Sequence, residues 1–578
     1  MNNTDVVLNE IIRNRFVSIA DEMATTLVRT AYNPLLYEVQ DFSITVMSPT
    51  GDMWSEMPGV MVFSQAFPHA VRQGIKRWGD NLSDGDVLIV NDPFETGTHI
   101  SDTNVYMPVF HEGELVAFCG SAAHWADVGG KIPGGWCPDT TDTYQEGLCF
   151  RHQKLIERGV INEALWDLID CNVRVPTIVR GDLEAQVAAC RQGSIRIREL
   201  CEKYGREVVD RAMSAVIEQT HTAMSKAISA LPNGTHSASI RMDFDGINRD
   251  GDFLVCLKTT IQDDSIRFSL DGTSPVAMGP INLPAPCTKG ILASSIKGIL
   301  MPLDPCNAGH AMCIEYDDLP KDSLVNPSWP APTDSYGYIV GCLMELTFRC
   351  LADVVPDKIP AGCYMLTGAF LGKESDDENE STVVSDALHG GNGALFNDDG
   401  VTNQLVGNGD LPNNPVEVLE TRHPIRVESL EFATDMAGHG AHRGGFGVRK
   451  KVTMLADDFS LNFVIENTKD TSAAGVQGGG DGKPGNLTIN PDSNNPIVYR
   501  ERQGALGPYP KNTVYEVVTG GGGGWGNPYE RDTHAVLKDV SNDFLTVEQA
   551  AETYGVSLIK KAGTWAIDAQ ATSLLRAK

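Results

Sequence analysis

Leu8, Ile11, Ile12, Phe16, Ile19, Met23 and Leu27 recur at steps of three and four, which predicts a helix from about Asp5 to Ala31 with one face on a core. The next apolar run, Phe42–Met47, alternates and ends in Ser48-Pro49-Thr50-Gly51-Asp52, a strand closed by a turn. A helix near Gln65–Trp78 precedes two strands, Asn104–Phe110 and Leu115–Ser121, whose linker His111-Glu112-Gly113-Glu114 reads as a hairpin turn. Helical spacing returns near Asn162–Cys171, at Leu183–Tyr204 and again up to Leu231, where Pro232-Asn233-Gly234 stops it. From Ser237 the period becomes two, with strands at Ile240–Phe244, Phe253–Thr259 and Ile266–Leu270, followed by helices near Thr288–Leu300 and Ser335–Leu351. The last third alternates glycine-rich loops (389–400, 438–447, 519–528) with strands at Val448–Leu455, Leu461–Glu466 and Val514–Thr519, then a helix at Val547–Tyr554 capped by Thr546.

This pattern predicts an α+β, multi-domain chain. A helical and β-hairpin N-terminal metal-binding domain takes up 1–234, a mixed α+β domain 235–415, a glycine-rich β region 416–535 and a C-terminal helical segment 536–578. The hairpin carries the candidate chemistry. Opposed residues of an antiparallel pair keep a constant index sum, so a turn over 111–114 sets Asp102 opposite position 123, one residue from His124. Facing Cβ atoms lie roughly 4.5–5.5 Å apart. His99, in the Gly97-Thr98-His99 loop, can fold back over the same end. Two imidazoles and a carboxylate there form a divalent-metal half-site, with nitrogen and oxygen donors that suit zinc first and manganese or iron as alternatives. A loop histidine is commonly just solvated; what sets this trio apart is the register. Asp41, at the head of the Phe42–Met47 strand, is the best candidate for a fourth ligand. The segment Asp127–Glu146 reads as a long Gly/Pro-rich loop beside this site, which marks it as functional or mobile.

Composition narrows the partners. The 578 residues carry 46 Lys+Arg against 76 Asp+Glu, a net charge of −30, and such a field repels nucleic-acid backbones and anionic membrane surfaces. The start of the chain lacks the short apolar core of a signal peptide, and no apolar run reaches the length of a membrane span. Thirteen scattered cysteines without a C-x-x-C pair fit reduced thiols, so a cytoplasmic location is expected. The run TGGGGGWGNPYERD at 519–532 suggests a phosphate loop. However, no Lys-Ser/Thr follows it and Pro528 cuts it short, so a structural loop with close backbone approach is the favoured reading. His439 and His442, in another glycine-rich loop, read as solvated rather than ligating.

Taken together, RTAYNPLLYEVQDFS (29–43), LIVNDPFETGTHISD (88–102), AAHWADVGG (122–130), YQEGL (144–148), NVRVPTIVRGDLEAQVAA (172–189), HRGGFG (442–447) and GGGGWGNPYERD (521–532) resemble the B-type subunits of the hydantoinase/oxoprolinase family. That family includes N-methylhydantoinases, 5-oxoprolinases and caprolactamase and, more distantly, ketone carboxylases. The resemblance implies an ATP-dependent enzyme that opens a lactam or cyclic imide to an amino acid, or that carboxylates a ketone. ATP and magnesium would sit on a separate A-type subunit, two of each chain forming a heterotetramer, with bicarbonate as a further possible reactant. Carried over residue by residue, the metal ligands become Asp41, His99, Asp102 and His124. Asp127 and Glu146 are candidates for the catalytic proton transfers. The chain length favours the lactamase side of the family, and a non-catalytic scaffold with a structural metal is the competing reading.

Overall fold

The computed structural model describes residues 3–577 apart from 243, 374, 376–380, 406–410, 466–472, 501, 502 and 562. Asp243 and Glu466, both assigned to strands from the pattern, lie outside that set. The first amphipathic run forms a helix over Asn3–Thr30. It packs with the helix Pro176–Tyr204 on one face of a seven-stranded antiparallel sheet. Pro176 is tolerated at the start of that helix because the first turn needs no N–H there, which is why it begins seven residues ahead of the apolar period.

The sheet is built from β1 (Phe42–Met47), β2 (Met53–Met57), β3 (Val87–Val90), β4 (Asp102–His111), β5 (Glu114–His124), β6 (Arg151–Glu157) and β7 (Val160–Ile161), in the order β2-β1-β5-β4-β3-β6-β7. Alternation along the strands divides the side chains between two cores. Ile44, Val46, Val105, Cys119 and Ala123 face the Asn3–Thr30 and Pro176–Tyr204 helices. Met47, Leu88, Val90, Tyr106, Phe118 and Ala122 face the helices Met61–Trp78 and Ala285–Leu300. That second core continues into the helix Gly337–Leu351 and a four-stranded sheet of β8 (Gly234–Met242), β9 (Phe253–Gln262), β10 (Ser265–Ser269) and β11 (Ile314–Tyr316).

Two further sheets enclose a third core. One has the order β13-β12-β16-β19 and the other β14-β15-β20-β17-β18. Their strands are β12 (Leu366–Lys373), β13 (Thr382–His389), β14 (Ile425–Ala433), β15 (Gly447–Met454), β16 (Phe459–Ile465), β17 (Asn486–Ile489), β18 (Ile497–Tyr499), β19 (Gln503–Tyr509) and β20 (Val514–Val518). The final segment is not purely helical. A hairpin, Leu558–Lys561 with Thr564–Ile567, separates the capped helix Val547–Tyr554 from a last helix at Ala569–Arg576.

The run at 519–528 is a buried glycine hub. The amides of Gly521, Gly522, Gly523 and Gly524 donate to the carbonyls of Lys483, Gly445, Gly362 and Gly480, at 2.8–3.1 Å. The N–H groups that would cradle a phosphate are therefore already engaged. Of the two loop histidines, His439 has Nδ1 3.2 Å from the Tyr554 hydroxyl, and His442 pairs through its backbone with Trp525.

Two of the sequence motifs meet at Asp182. Its buried carboxylate accepts the Tyr32 and Asn33 amides at 2.8 and 3.0 Å through Oδ1, while Oδ2 is left without a partner among the described residues. Burial pushes its pKa up to about 7 against those two donors. With a folded pKa raised above the unfolded value of about 3.9, this group contributes stability that is complete below about pH 4. That contribution is lost as the pH rises through 7. Asp182→Asn keeps the acceptor and removes the charge. Melting curves at pH 5 and pH 8 are expected to find the variant stabilised at pH 8, on the order of 2 kcal/mol, with a smaller gain at pH 5. An unchanged pH slope would mean that the carboxylate is ionised in the fold.

Candidate metal centre

Local chemistry sets up each side chain. Asp92 caps the short helix Pro93–Thr96 by accepting the Phe94 amide, and Gly97 ends it with φ of 86°. A Cβ on Gly97 would press on the Cys287 amide, so only glycine turns the chain here. Asn91 then holds the loop by donating to the carbonyls of Ile100 and Leu148, each at 2.9 Å. This delivers His99 over the open end of the β4–β5 hairpin. There Asp102 lies directly opposite His124. A bulge between Val109 and Phe110 supplies the one-residue shift that the turn alone does not give. From behind, the buried Gln186 donates to the Thr103 and Ser121 carbonyls and accepts from the Trp125 indole, pinning both strand ends to the Pro176–Tyr204 helix.

His99 Nε2, His124 Nδ1 and Asp102 Oδ1 converge with separations of 2.9, 3.0 and 3.1 Å, and all three residues are buried. Asp41 heads the neighbouring strand. Its carbonyl accepts the His124 amide at 3.1 Å, and Phe42 pairs with Ala123, so Asp41 falls in line beside His124 and Asp102 on the same sheet face. Burial raises the Asp41 carboxyl to about 6, tempered by the nearby His124.

The backbone carbonyl of Asp334, which only accepts, lies 3.1 Å from His99 Nδ1, so Nδ1 carries a proton. In a neutral His99 the Nε2 lone pair therefore points at the Asp102 carboxylate oxygen and at His124. Such a set needs a cation. A divalent ion would meet that need, and two imidazoles, one of them backed by a carboxylate, with one carboxylate are donors it takes. Without a metal the same atoms form an ion pair. Burial disfavours a charged His99, but Asp102 and Asp334 override it and raise the imidazole to about 10. Asp102, despite its burial, is held down to about 2 by His99 and His124. His124 Nε2 is buried without a partner among the described residues.

Three residues the sequence did not point to complete the centre. Asp334 backs His99, also through Oδ1 at 3.2 Å. Tyr336, its phenol kept protonated by burial and by Asp102, donates to Asp102 Oδ2 at 3.1 Å. Trp136 lies with its ring centroid 5.1 Å from His99 and 6.1 Å from His124, and stacks at 5.2 Å on Phe370 of β12. Asp334 and Tyr336 lie more than 230 positions from the His99 and Asp102 that they bond. Their only local signal is an Asp and a Tyr just ahead of a helix, which is no sign of a site.

Asp127 and Glu146 are not in the cluster. Asp127 accepts the amides of Gly129, Gly134 and Arg174 and the Arg174 guanidinium, anchoring both ends of the 127–135 turn. Glu146 accepts from Thr140, from both the amide and hydroxyl of Thr333, and from the Asp334 amide at 3.0 Å. Burial, followed by the adjacent Asp334, raises its carboxyl to about 8. Among the described residues the metal-like grouping is His99, Asp102 and His124, and no helix is long and apolar enough to cross a membrane.

Residues 5–528 match the family model Hydantoinase B/oxoprolinase. The putative B-type D-/L-hydantoinase chain of Pseudomonas sp. (strain NS671) is 30% identical over 96% of this chain and 95% of its own. The crystal structure of the ATP-dependent caprolactamase from Pseudomonas jessenii superposes with a TM-score of 0.91 at 25% identity, covering all of both chains. A nucleotide-free acetone carboxylase shares the fold, with a TM-score of 0.89 at 19% identity over 99% of this chain and 82% of that one. With a family model matched along nine-tenths of its length and a relative aligned nearly end to end, the chain belongs to the hydantoinase B/oxoprolinase family.

Proposed function

We propose that this chain is the metal-holding subunit of an ATP-dependent cyclic-amide hydrolase, opening a lactam or hydantoin-type ring to an amino acid together with an ATP-binding A-type subunit. The observation that carries the reading is the buried triangle of His99 Nε2, His124 Nδ1 and Asp102 Oδ1 in a chain that matches a caprolactamase chain along its whole length. The ketone-carboxylase alternative has less support, since the acetone carboxylase chain is matched over 82% of its length and at an identity that speaks for fold alone.

His99, Asp102 and His124 would hold a divalent ion, zinc first and manganese or iron next, with Asp41 on the neighbouring strand as the expected fourth ligand. When bound, that ion supplies a Lewis acid for an amide oxygen and a hydroxide source near neutral pH. The protein's own part is positioning. Asp334 fixes the His99 tautomer so that Nε2 offers its lone pair. Tyr336 occupies one Asp102 oxygen and leaves the other facing the histidines. Trp136 lies against both histidines, and Phe370 stacks on its indole and holds it there. Glu146 and Asp127, expected from the sequence to move protons, fit better as positioning residues: Glu146 steadies Asp334, and Asp127 steadies the loop that carries Trp136. ATP, its magnesium and any bicarbonate belong to the partner's half of the reaction, in an assembly of two chains of each kind.

The test is reconstitution. The isolated chain is expected to bind about one divalent ion, to bind no ATP by calorimetry and to open no cyclic amide. Mixed with the A-type partner it is expected to open the ring in proportion to ATP consumed. Micromolar ATP binding by the isolated chain, or ring opening without ATP, would overturn this division of labour. Full turnover by a metal-free assembly would reduce the chain to a scaffold.

A further inference from the structure

We propose that Asn462 is the residue that reads the amide of the substrate. The proposal rests on the cyclic-amide reading above and names a group that reading does not use. Asn462 sits in β16 with 0% of its surface exposed, yet neither its Oδ1 nor its Nδ2 has a partner among the described residues. A buried carboxamide is ordinarily hydrogen-bonded, because leaving it dry and unpaired is costly. This one is unpaired at both ends.

Strand register tells where it faces. Asn462 lies directly opposite Phe370 in the antiparallel β12–β16 pair, with Ser460 opposite Gly372 and Val464 opposite Gly368. Opposed residues share a sheet face, with Cβ atoms roughly 4.5–5.5 Å apart. The alternate positions Ala369, Leu371, Leu461, Phe463 and Ile465 point into the third core. Asn462 and Phe370 therefore point the other way, to the side on which Phe370 stacks on Trp136. A Cβ on Gly372 would meet Pro133, and Phe370 stacks on Trp136, so the loop carrying Trp136 covers this face.

Trp136 stacks on Phe370 at 5.2 Å and meets His99 edge-on at 5.1 Å. Asn462 stands beside Phe370. A small ring taking the place of the Trp136 indole would lie between Asn462 and the His99–His124 pair. An amide inside a small ring is held cis, so its N–H and C=O point to the same side. A carboxamide offers the complementary pair, Oδ1 to accept the N–H and Nδ2 to donate to the carbonyl. An ester ring of the same size lacks the N–H and would leave Oδ1 unpaired, the kind of loss on which polar sites discriminate strongly.

The experiment uses the assembly with its A-type partner and a panel of five- to seven-membered lactams and a hydantoin. The ring that the wild type opens is compared with its analogue carrying oxygen in place of N–H. Asn462→Ala removes both polar atoms, and Asn462→Asp keeps the shape and an acceptor but loses the donor. Both variants are expected to assemble and to hold the metal. KM for the cyclic amide should rise at least tenfold, about 1.4 kcal/mol, with a much smaller change in kcat. The preference for the amide over its oxygen analogue should collapse in Asn462→Ala. If either variant assembles with KM and preference unchanged, the proposal fails. It also fails if both variants lose assembly or metal, because Asn462 would then serve the fold through an ordered water. A wild-type assembly that opens none of these rings removes the cyclic-amide reading itself, and this proposal with it.

Discussion

His99→Ala is expected to empty the metal centre and stop turnover in the reconstituted enzyme. It removes Nε2 from the triangle with His124 and Asp102, whose members stand 2.9–3.1 Å apart. It also leaves Asp102 and Asp334 without the imidazole between them, and a buried carboxylate deprived of its partner typically costs about 3–5 kcal/mol. Two effects therefore add in the melting curve: the lost ion pair, visible even in metal-free protein, and the lost linkage to the metal, worth about 2.7 kcal/mol for an ion at a hundred times its dissociation constant. Asp334→Ala should be milder, because it keeps all the ligands and loosens only one of them, with activity down on the order of tenfold to a hundredfold. Elemental analysis, differential scanning calorimetry and turnover on the same preparations decide the matter. Full metal occupancy in His99→Ala would place the ion elsewhere.

Gly522→Val is expected to be as damaging, through packing alone. A Cβ on Gly522 would collide with the Asn392 carbonyl, and one on Gly444 with the carbonyl of Gly522. These are backbone atoms that cannot swing aside, so the loops must separate, at a cost of about 3 kcal/mol. The variant should become protease-sensitive around residues 390–525. Gly298→Ala provides the control: it adds the same kind of atom in the helix Ala285–Leu300, where nothing lies within 4 Å. It should be neutral or stabilising by up to about 1 kcal/mol. Limited proteolysis of the two variants separates the outcomes. A stable Gly522→Val that loses only ATP-dependent activity would argue for a ligand loop after all.

Much of the architecture was legible because it is written locally. The stripe from Leu8 to Leu27 gives the first helix, and the helix Val547–Tyr554 was expected with its Thr546 cap. The hairpin register brought Asp102 to His124 within one residue, and the missing residue is the bulge at Val109. Bulges leave little mark on a hydrophobic pattern. Strand β12 was missed because its two glycines blur the alternation, and β13 because its polar and small residues, Ser385, Asp386 and Ala387, interrupt the apolar run. The closing hairpin at 558–567 was missed because four-residue strands are too short for a period to register.

By itself, then, the sequence determined many of the longer elements, the family motifs and the meeting of His99, Asp102 and His124. Each of these depends on spacings of a few residues or on one hairpin, where geometry follows from index arithmetic. The tertiary structure decided what surrounds them. Asp334 and Tyr336 reach the centre from a segment more than 230 positions away. Trp136 stacks on Phe370, which a separately formed sheet sets opposite Asn462. Such contacts have no periodic signature, since they exist only once separate cores have packed and fixed which faces turn toward each other. For the same reason Asp127 and Glu146, which look like free carboxylates in a loop, turn out to have their oxygens engaged by amides and hydroxyls brought in from elsewhere along the chain.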